Sequence, residues 1–231
     1  MNHHTTAHLI PEIFVAGIDG SGKTAVLSLL ITRLSAKYRI LTNQDGLCLH
    51  YRGENTRILK HSWFKATYWL KSSSNRRMRG LLSLLTFTAR QLESKYLKRH
   101  GKIDLIVFET DTVLHPAAFS ALHFPWIKRV NGRLRFRIFN GLFGPRKNFV
   151  TFYLETDSHI ALERILKRDT AADPHENIID LEILRNEFDH MVNIAAKFNI
   201  QIDRIDTNLR TVESTVNEME RILKEKLAVG L

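Results

Sequence analysis

The chain has 231 residues, 44% of them hydrophobic, enough for one domain with a sizeable buried core. A single cysteine, Cys48, excludes an internal disulfide framework, and the longest nearly apolar run, residues 80–89, is far shorter than the ~20 residues that cross a bilayer. The opening stretch Met1-Asn2-His3-His4-Thr5 carries neither a basic nor an apolar leader segment, so cytoplasmic residence is the expectation.

Apolar runs alternate with helical patterns, which predicts a mostly parallel sheet with helices on both faces. Strand one is expected at Glu12 to Ala16. It leads into Gly17-Ile18-Asp19-Gly20-Ser21-Gly22-Lys23-Thr24, which has the G-x-x-x-x-G-K-[ST] spacing of a phosphate-binding P-loop. Glycines let the backbone curl so that successive N–H groups face an anion, and the following helix aims its positive dipole end at the same place. Lys23 adds a charge for the β/γ-phosphates of a nucleotide, and Thr24 a hydroxyl for Mg²⁺. The expected ATP contacts are therefore Gly17, Asp19, Gly20, Ser21, Gly22, Lys23 and Thr24. The first helix should run from about Lys23 to Lys37. Strand two falls at Arg39 to Thr42 or at Leu47 to Tyr51, and the sequence does not choose between them.

Long helical patterns fill residues 62–100, with a break near Asn75 to Gly80. Strand three, Ile103 to Phe108, ends in the polar triplet Glu109-Thr110-Asp111. Open α/β sheets bind ligands at the carboxyl ends of their strands, so Glu109 and Asp111 are candidates for holding Mg²⁺ or orienting an acceptor. The alternative is that such a carboxylate only caps the next helix. Strand four is expected at Phe149 to Leu154 and a helix at Ser158 to Arg168. Residues 169–177 lack apolar periodicity, contain Pro174 and read as a loop. A helix at Asp180 to Phe198 and strand five at Gln201 to Ile205 follow. A closing helix then places Val212, Val216, Met219, Leu223 and Leu227 on one face. The expected fold class is α/β, a P-loop NTPase fold with a five-stranded parallel sheet in a single domain, residues 1–231.

Five stretches go further. They are the P-loop with Asp19 and Gly20; Tyr38 to Thr42 followed by Asn43-Gln44-Asp45-Gly46; and Gly53-Glu54-Asn55-Thr56-Arg57-Ile58-Leu59. Phe87-Thr88-Ala89-Arg90 and Ala161-Leu162-Glu163-Arg164-Ile165-Leu166-Lys167-Arg168 complete the set. In this order and spacing they resemble the thymidylate kinase family, within the nucleoside monophosphate kinases. The resemblance implies ATP and Mg²⁺ as cofactors and a small phosphorylated substrate. It implies an acceptor pocket built from Arg52, Arg57, Phe87 and Arg90, and Arg164 and Arg168 neutralising the transferred group. Residues 169–177 would be the lid. Taken with the strand-end carboxylates, the expected catalytic set is Lys23, Glu109, Asp111, Arg164 and Arg168, with Thr24 and Glu109 at the metal. Where that family has an Asp-Arg-aromatic triplet after strand three, this chain has Glu109-Thr110-Asp111. Its Glu109 agrees instead with the Glu-Arg-Ser of deoxynucleoside kinases.

The net charge of +10 is concentrated in two acid-free segments. Residues 55–92 hold eight basic side chains, and residues 112–154 hold Lys128, Arg129, Arg133, Arg135, Arg137, Arg146 and Lys147. Such segments attract anions: substrate phosphates, nucleic acid, or an anionic membrane, the last because Trp63, Phe64, Tyr68, Trp69, Phe124 and Trp126 are interleaved with them. A solvated basic face is the simplest alternative, and a homodimer is left open. Three functions follow: phosphoryl transfer from ATP to a nucleoside monophosphate, with dTMP foremost; transfer to a hydroxyl of a nucleoside, sugar or other small metabolite; or non-catalytic nucleotide binding.

Overall fold

The structure, a computed structural model, describes residues 10–42, 50–51, 103–144, 148–168 and 176–227. Its centre is β1 (Glu12–Ala16), whose five residues are all buried, as expected of a strand covered on both faces. On one side β1 pairs in parallel with β4 (Leu105–Phe108), which pairs in parallel with β2 (Ile40–Thr42). On the other side it pairs in parallel with β5 (Phe149–Glu155), and β5 with β6 (Ile202–Asp206). The short edge strand β3 (His50–Tyr51) runs antiparallel to β2. The order is β3-β2-β4-β1-β5-β6, so the five expected parallel strands carry one further antiparallel strand at the edge. The described part of each segment proposed for strand two thus contains a strand, Ile40–Thr42 in one and His50–Tyr51 in the other, and the two pair with each other.

Alternation along β1 sorts the core. Ile13 and Val15 point to a cluster shared with α1 (Lys23–Leu34) and α6 (Val212–Leu227). On the opposite face, Ala16 joins a cluster formed with α2 (Leu114–His123), α3 (Gly132–Phe143), α4 (Ser158–Leu166) and α5 (Ile178–Lys197). Phe14 stacks on Phe108 with centroids 4.8 Å apart.

Several helices are capped by their own sequence. Asn131 Oδ1 accepts from Arg133 N at the start of α3, Asp157 Oδ1 from His159 N at α4, and Asn177 Oδ1 from Asp180 N at α5. Helix α1 begins at Gly22 with no side-chain cap and no acidic residue in its first turn.

Several elements differ from the sequence-based expectation, among them strand three, which begins at Leu105 rather than Ile103, and the helix expected from Asp180, which begins at Ile178. The first helix stops at Leu34 rather than Lys37: residues 35–37 form a turn in which Tyr38 N donates back to Leu34 O. The helix from Ser158 ends at Leu166, not Arg168. Residues 112–148, read only as a basic stretch, contain α2, a 3₁₀ turn at Pro125–Arg129, and α3. The helical patterns of residues 62–100, with their break, and Cys48 lie outside the described residues.

Candidate phosphate-binding site

Residues 17–22 link the carboxyl end of β1 to α1, and two glycines fix how that link is built. Gly20 has φ +78°, and a Cβ there would collide with the backbone carbonyl of Ala161 on α4. Gly22 has φ +88°, yet a Cβ there would meet nothing within 4 Å. The first is a packing requirement, whereas the second borders open space in front of the uncapped first turn of α1. Gly20→Ala is therefore expected to destabilise the fold by about 2–4 kcal/mol, strain and overpacking combined. Gly22→Ala should cost only the ~1–2 kcal/mol of a left-handed alanine but lose most ATP affinity, because its methyl enters the anion cradle. Thermal melts paired with nucleotide titration separate the two, and equal losses of ATP affinity per unit of lost stability would contradict the assignment.

Lys23 is buried at the first position of α1, and its Nζ donates to Gly17 O at 2.9 Å and Ile18 O at 2.8 Å. Asp19 Oδ1 stands 3.7 Å from the same ammonium. The loop thus wraps around the lysine and holds a positive charge beside the α1 amides, where an anionic phosphate gains from both.

The neighbouring strand supplies the carboxylate. Because Phe14 and Phe108 are register partners, the residue after β4 emerges beside the P-loop. That residue is Glu109, whose Oε1 accepts from Thr24 Oγ1 at 2.6 Å. A hydroxyl and a carboxylate, both hard oxygen donors at the mouth of a phosphate loop, are a donor set that suits Mg²⁺, with phosphate oxygens and water completing the shell.

Asp111 has a different task from the one expected of it. It is 3% exposed, its Oδ1 accepts from Val113 N at 2.7 Å and from Leu114 N, and its Oδ2 accepts from Thr151 Oγ1 at 3.5 Å. The carboxylate caps α2 and bridges to β5 rather than facing a ligand. Burial, only partly offset by the two amide bonds, pushes its pKa from 3.8 up to about 6. The fold therefore favours the protonated carboxyl: this contribution is complete below about pH 4 and is lost as pH rises through 6. At ~1.4 kcal/mol per pH unit the loss amounts to about 3 kcal/mol. Asp111→Asn, which keeps an acceptor for both amides and gains a donor toward Thr151, should flatten the fall in stability between pH 4 and 7. Denaturant unfolding across that range reads it, and identical slopes in the two proteins would refute it.

On the far side of the P-loop, the ends of β5 and β6 are joined by buried hydroxyls. Thr156 Oγ1 and Thr207 Oγ1 are 2.6 Å apart, and Thr207 Oγ1 also donates to Glu155 O at 3.1 Å and to Ser21 O at 3.4 Å. Asn208 Oδ1 accepts from Asp157 N at 2.7 Å. Arg164 completes this network: Nη2 donates to Thr207 O at 2.7 Å and Asn208 O at 3.3 Å, and Nη1 to Gly20 O at 3.5 Å. Its guanidinium ties the P-loop to the loop after β6.

Arg168 does not share a helix face with Arg164, because α4 has ended. Its backbone N–H closes on Ile165 O, and its Nη2 pairs with the buried Glu176 carboxylate. Residues 169–175 themselves, and the acceptor candidates Arg52, Arg57, Phe87 and Arg90, lie outside the described residues.

The structure therefore brings Gly17, Asp19, Gly20, Ser21, Gly22, Lys23, Thr24, Glu109 and Arg164 to one end of the sheet. Sequence reading missed Thr156, Thr207 and Asn208. The available signal was the Asp206-Thr207-Asn208 turn directly after a strand, at the same carboxyl edge as the P-loop.

A P-loop at the carboxyl end of the central strand of a parallel sheet, covered by helices on both faces, defines a P-loop NTPase fold. Among solved structures this fold is shared with deoxyadenosine kinase from M. mycoides, described with products dCMP and dCDP bound, at TM-score 0.63 and 15% identity. The match covers 93% of this chain and 99% of that one. The M. mycoides enzyme with bound dATP matches at TM-score 0.59 and 16% identity, over 93% and 99% of the two chains. Thymidylate kinase from Candida albicans matches at TM-score 0.60 and 17% identity, over 93% of this chain and 91% of that one. No known family profile matches the sequence, and no curated protein does.

Proposed function

We propose that this protein is an ATP-dependent phosphotransferase acting on a nucleoside-type acceptor, with a nucleoside monophosphate, and dTMP in particular, as the leading acceptor. One observation carries the reading: the loop around Lys23 Nζ stands next to a Thr24–Glu109 pair 2.6 Å apart, a phosphate cradle adjoining a hard-oxygen donor pair. The shared fold with a deoxyadenosine kinase and a thymidylate kinase supports it.

In this reading the α1 amides and Lys23 bind the β- and γ-phosphates of ATP, while Asp19 and the two loop carbonyls keep the ammonium in place. Thr24 and Glu109 would hold Mg²⁺, which would supply charge neutralisation to the phosphates. Arg164 acts as a positioning residue, holding the loop after β6 against the P-loop, because its guanidinium is engaged by backbone carbonyls. Arg168 is the cation assigned to the transferred group, released from Glu176 as residues 169–177 close and exclude water. Arg52, Arg57, Phe87 and Arg90 receive the acceptor.

A second acceptor class has its own support. No arginine follows Glu109 to clamp an acceptor phosphate, and a strand-end carboxylate serves a hydroxyl acceptor as a base. Coupled ADP release against a panel of nucleoside monophosphates, nucleosides and sugars tests the proposal. The expected result is strongest stimulation by a monophosphate. Stimulation by nucleosides or sugars alone moves the acceptor to a hydroxyl, and ATP binding with no stimulation by any of them rejects kinase activity.

A further inference from the structure

Residues 112–154 carry seven basic side chains and no Asp or Glu, and the site described above absorbs none of the seven. The structure folds the middle of this segment into the 125–129 turn and α3, and it gives α3 two faces. Arg135, Phe136 and Phe139 are buried on the inner face, with Arg135 Nη2 bonded to Glu187 Oε2 on α5 at 2.5 Å. The outer face presents Leu134, Ile138 and Leu142, spaced one turn apart and exposed at 52%, 48% and 64%. Trp126 on the preceding turn is 61% exposed. Exposed Arg133 and Arg137 run alongside this apolar row, one position earlier in each turn, and Lys128 and Arg129 are exposed just before it.

From this geometry we infer that the outer face of α3, with the 125–129 turn, docks on an anionic membrane surface. The aliphatic row enters the acyl boundary, the four cations meet headgroup phosphates, and Trp126 takes the interfacial level that indole prefers. Charge selects this occupant over the alternatives. A second copy packing this same face about a two-fold axis would bring its Arg133 and Arg137 into one interface with these, with no carboxylate from residues 112–154 to offset them. A nucleic acid would use the cations but leave the aliphatic row against a phosphate backbone. An anionic bilayer surface satisfies both halves at once. No helix among the described residues is long and apolar enough to cross a membrane, and a helix of 12 residues with one apolar row suits the plane of the interface.

Flotation of the full chain with vesicles is the test, comparing phosphatidylcholine alone with a phosphatidylcholine and phosphatidylserine mixture. Binding to the mixed vesicles only, weakening as salt is raised, is the expected result. Arg133→Gln with Arg137→Gln should lower partitioning about fivefold per charge removed. Leu134→Ser with Ile138→Ser should lower it at least about tenfold, with ADP release unchanged. Trp126 gives a readout independent of any stability loss in the serine variant: brominated lipid should quench it, and Trp126→Phe should remove that part of the quenching. Equal binding to neutral vesicles, wild-type flotation by either double variant, or undiminished quenching in Trp126→Phe would overturn the inference. So would a variant that turns a dimer into a monomer with no change in flotation, or a loss confined to binding of duplex DNA.

Discussion

Replacing Lys23 with methionine is expected to lower phosphoryl transfer by about a thousandfold while the protein remains folded. The ammonium is bonded to two carbonyls of the P-loop, so its removal takes away the charge proposed to meet the β/γ-phosphates. Methionine keeps the aliphatic stem that lies in the core and leaves two loop carbonyls, Gly17 O and Ile18 O, to find other donors. The structural cost should be about 1–2 kcal/mol, visible as a modest fall in melting temperature. Kinetics and a thermal melt on the same preparation separate the two effects. Transfer within about threefold of the unmodified protein would remove Lys23 from the machinery, since loss of a preorganised charge costs far more than that.

Glu109→Gln has the second largest expected effect, a loss of about a hundredfold or more in turnover. Glutamine retains an oxygen to accept from Thr24, and Glu109 is not buried, so stability should hardly change. What is lost is the negative charge. If Glu109 serves the metal, raising the Mg²⁺ concentration restores part of the rate and the pH profile keeps its shape. If it serves as base toward a hydroxyl acceptor, added Mg²⁺ does nothing and the acidic limb of the profile disappears. A rate close to the unmodified protein's would exclude both roles.

The P-loop was legible because its chemistry is local: the residues that curl the backbone, charge it and follow it with a helix are consecutive. The long strands were legible for a related reason. β1, β4 and β5 are largely buried and read as mainly apolar runs, broken only by Glu12, Thr151 and Glu155. Helix α2 was not legible because nine of its ten residues are buried, which leaves no polar face to set a helical period, and Pro116 in its first turn reads as a breaker. Helix α3 was obscured by Gly132, Gly141 and Gly144 and by its many arginines, which read as a charged segment rather than as an outer face.

Side-chain assignment in the site split along the same line. Thr24 and Glu109 meet because parallel register sets the end of β4 beside the end of β1, and the position of Glu109 directly after a strand was enough to single it out. Asp111 is two residues further on, where the chain has already turned into α2, and the free amides of that helix claim its carboxylate. Arg164 depends on a contact between α4 and the loop after β6, separated by more than 40 residues, which no local pattern encodes.

Transfer of a radiolabelled γ-phosphoryl group from ATP to the acceptor, with and without Mg²⁺, tests the central claim most directly. A labelled acceptor product that requires Mg²⁺ and vanishes in the Lys23→Met protein is the predicted result. Bound ATP whose label stays in ATP, or appears only as inorganic phosphate whatever the acceptor, would contradict it.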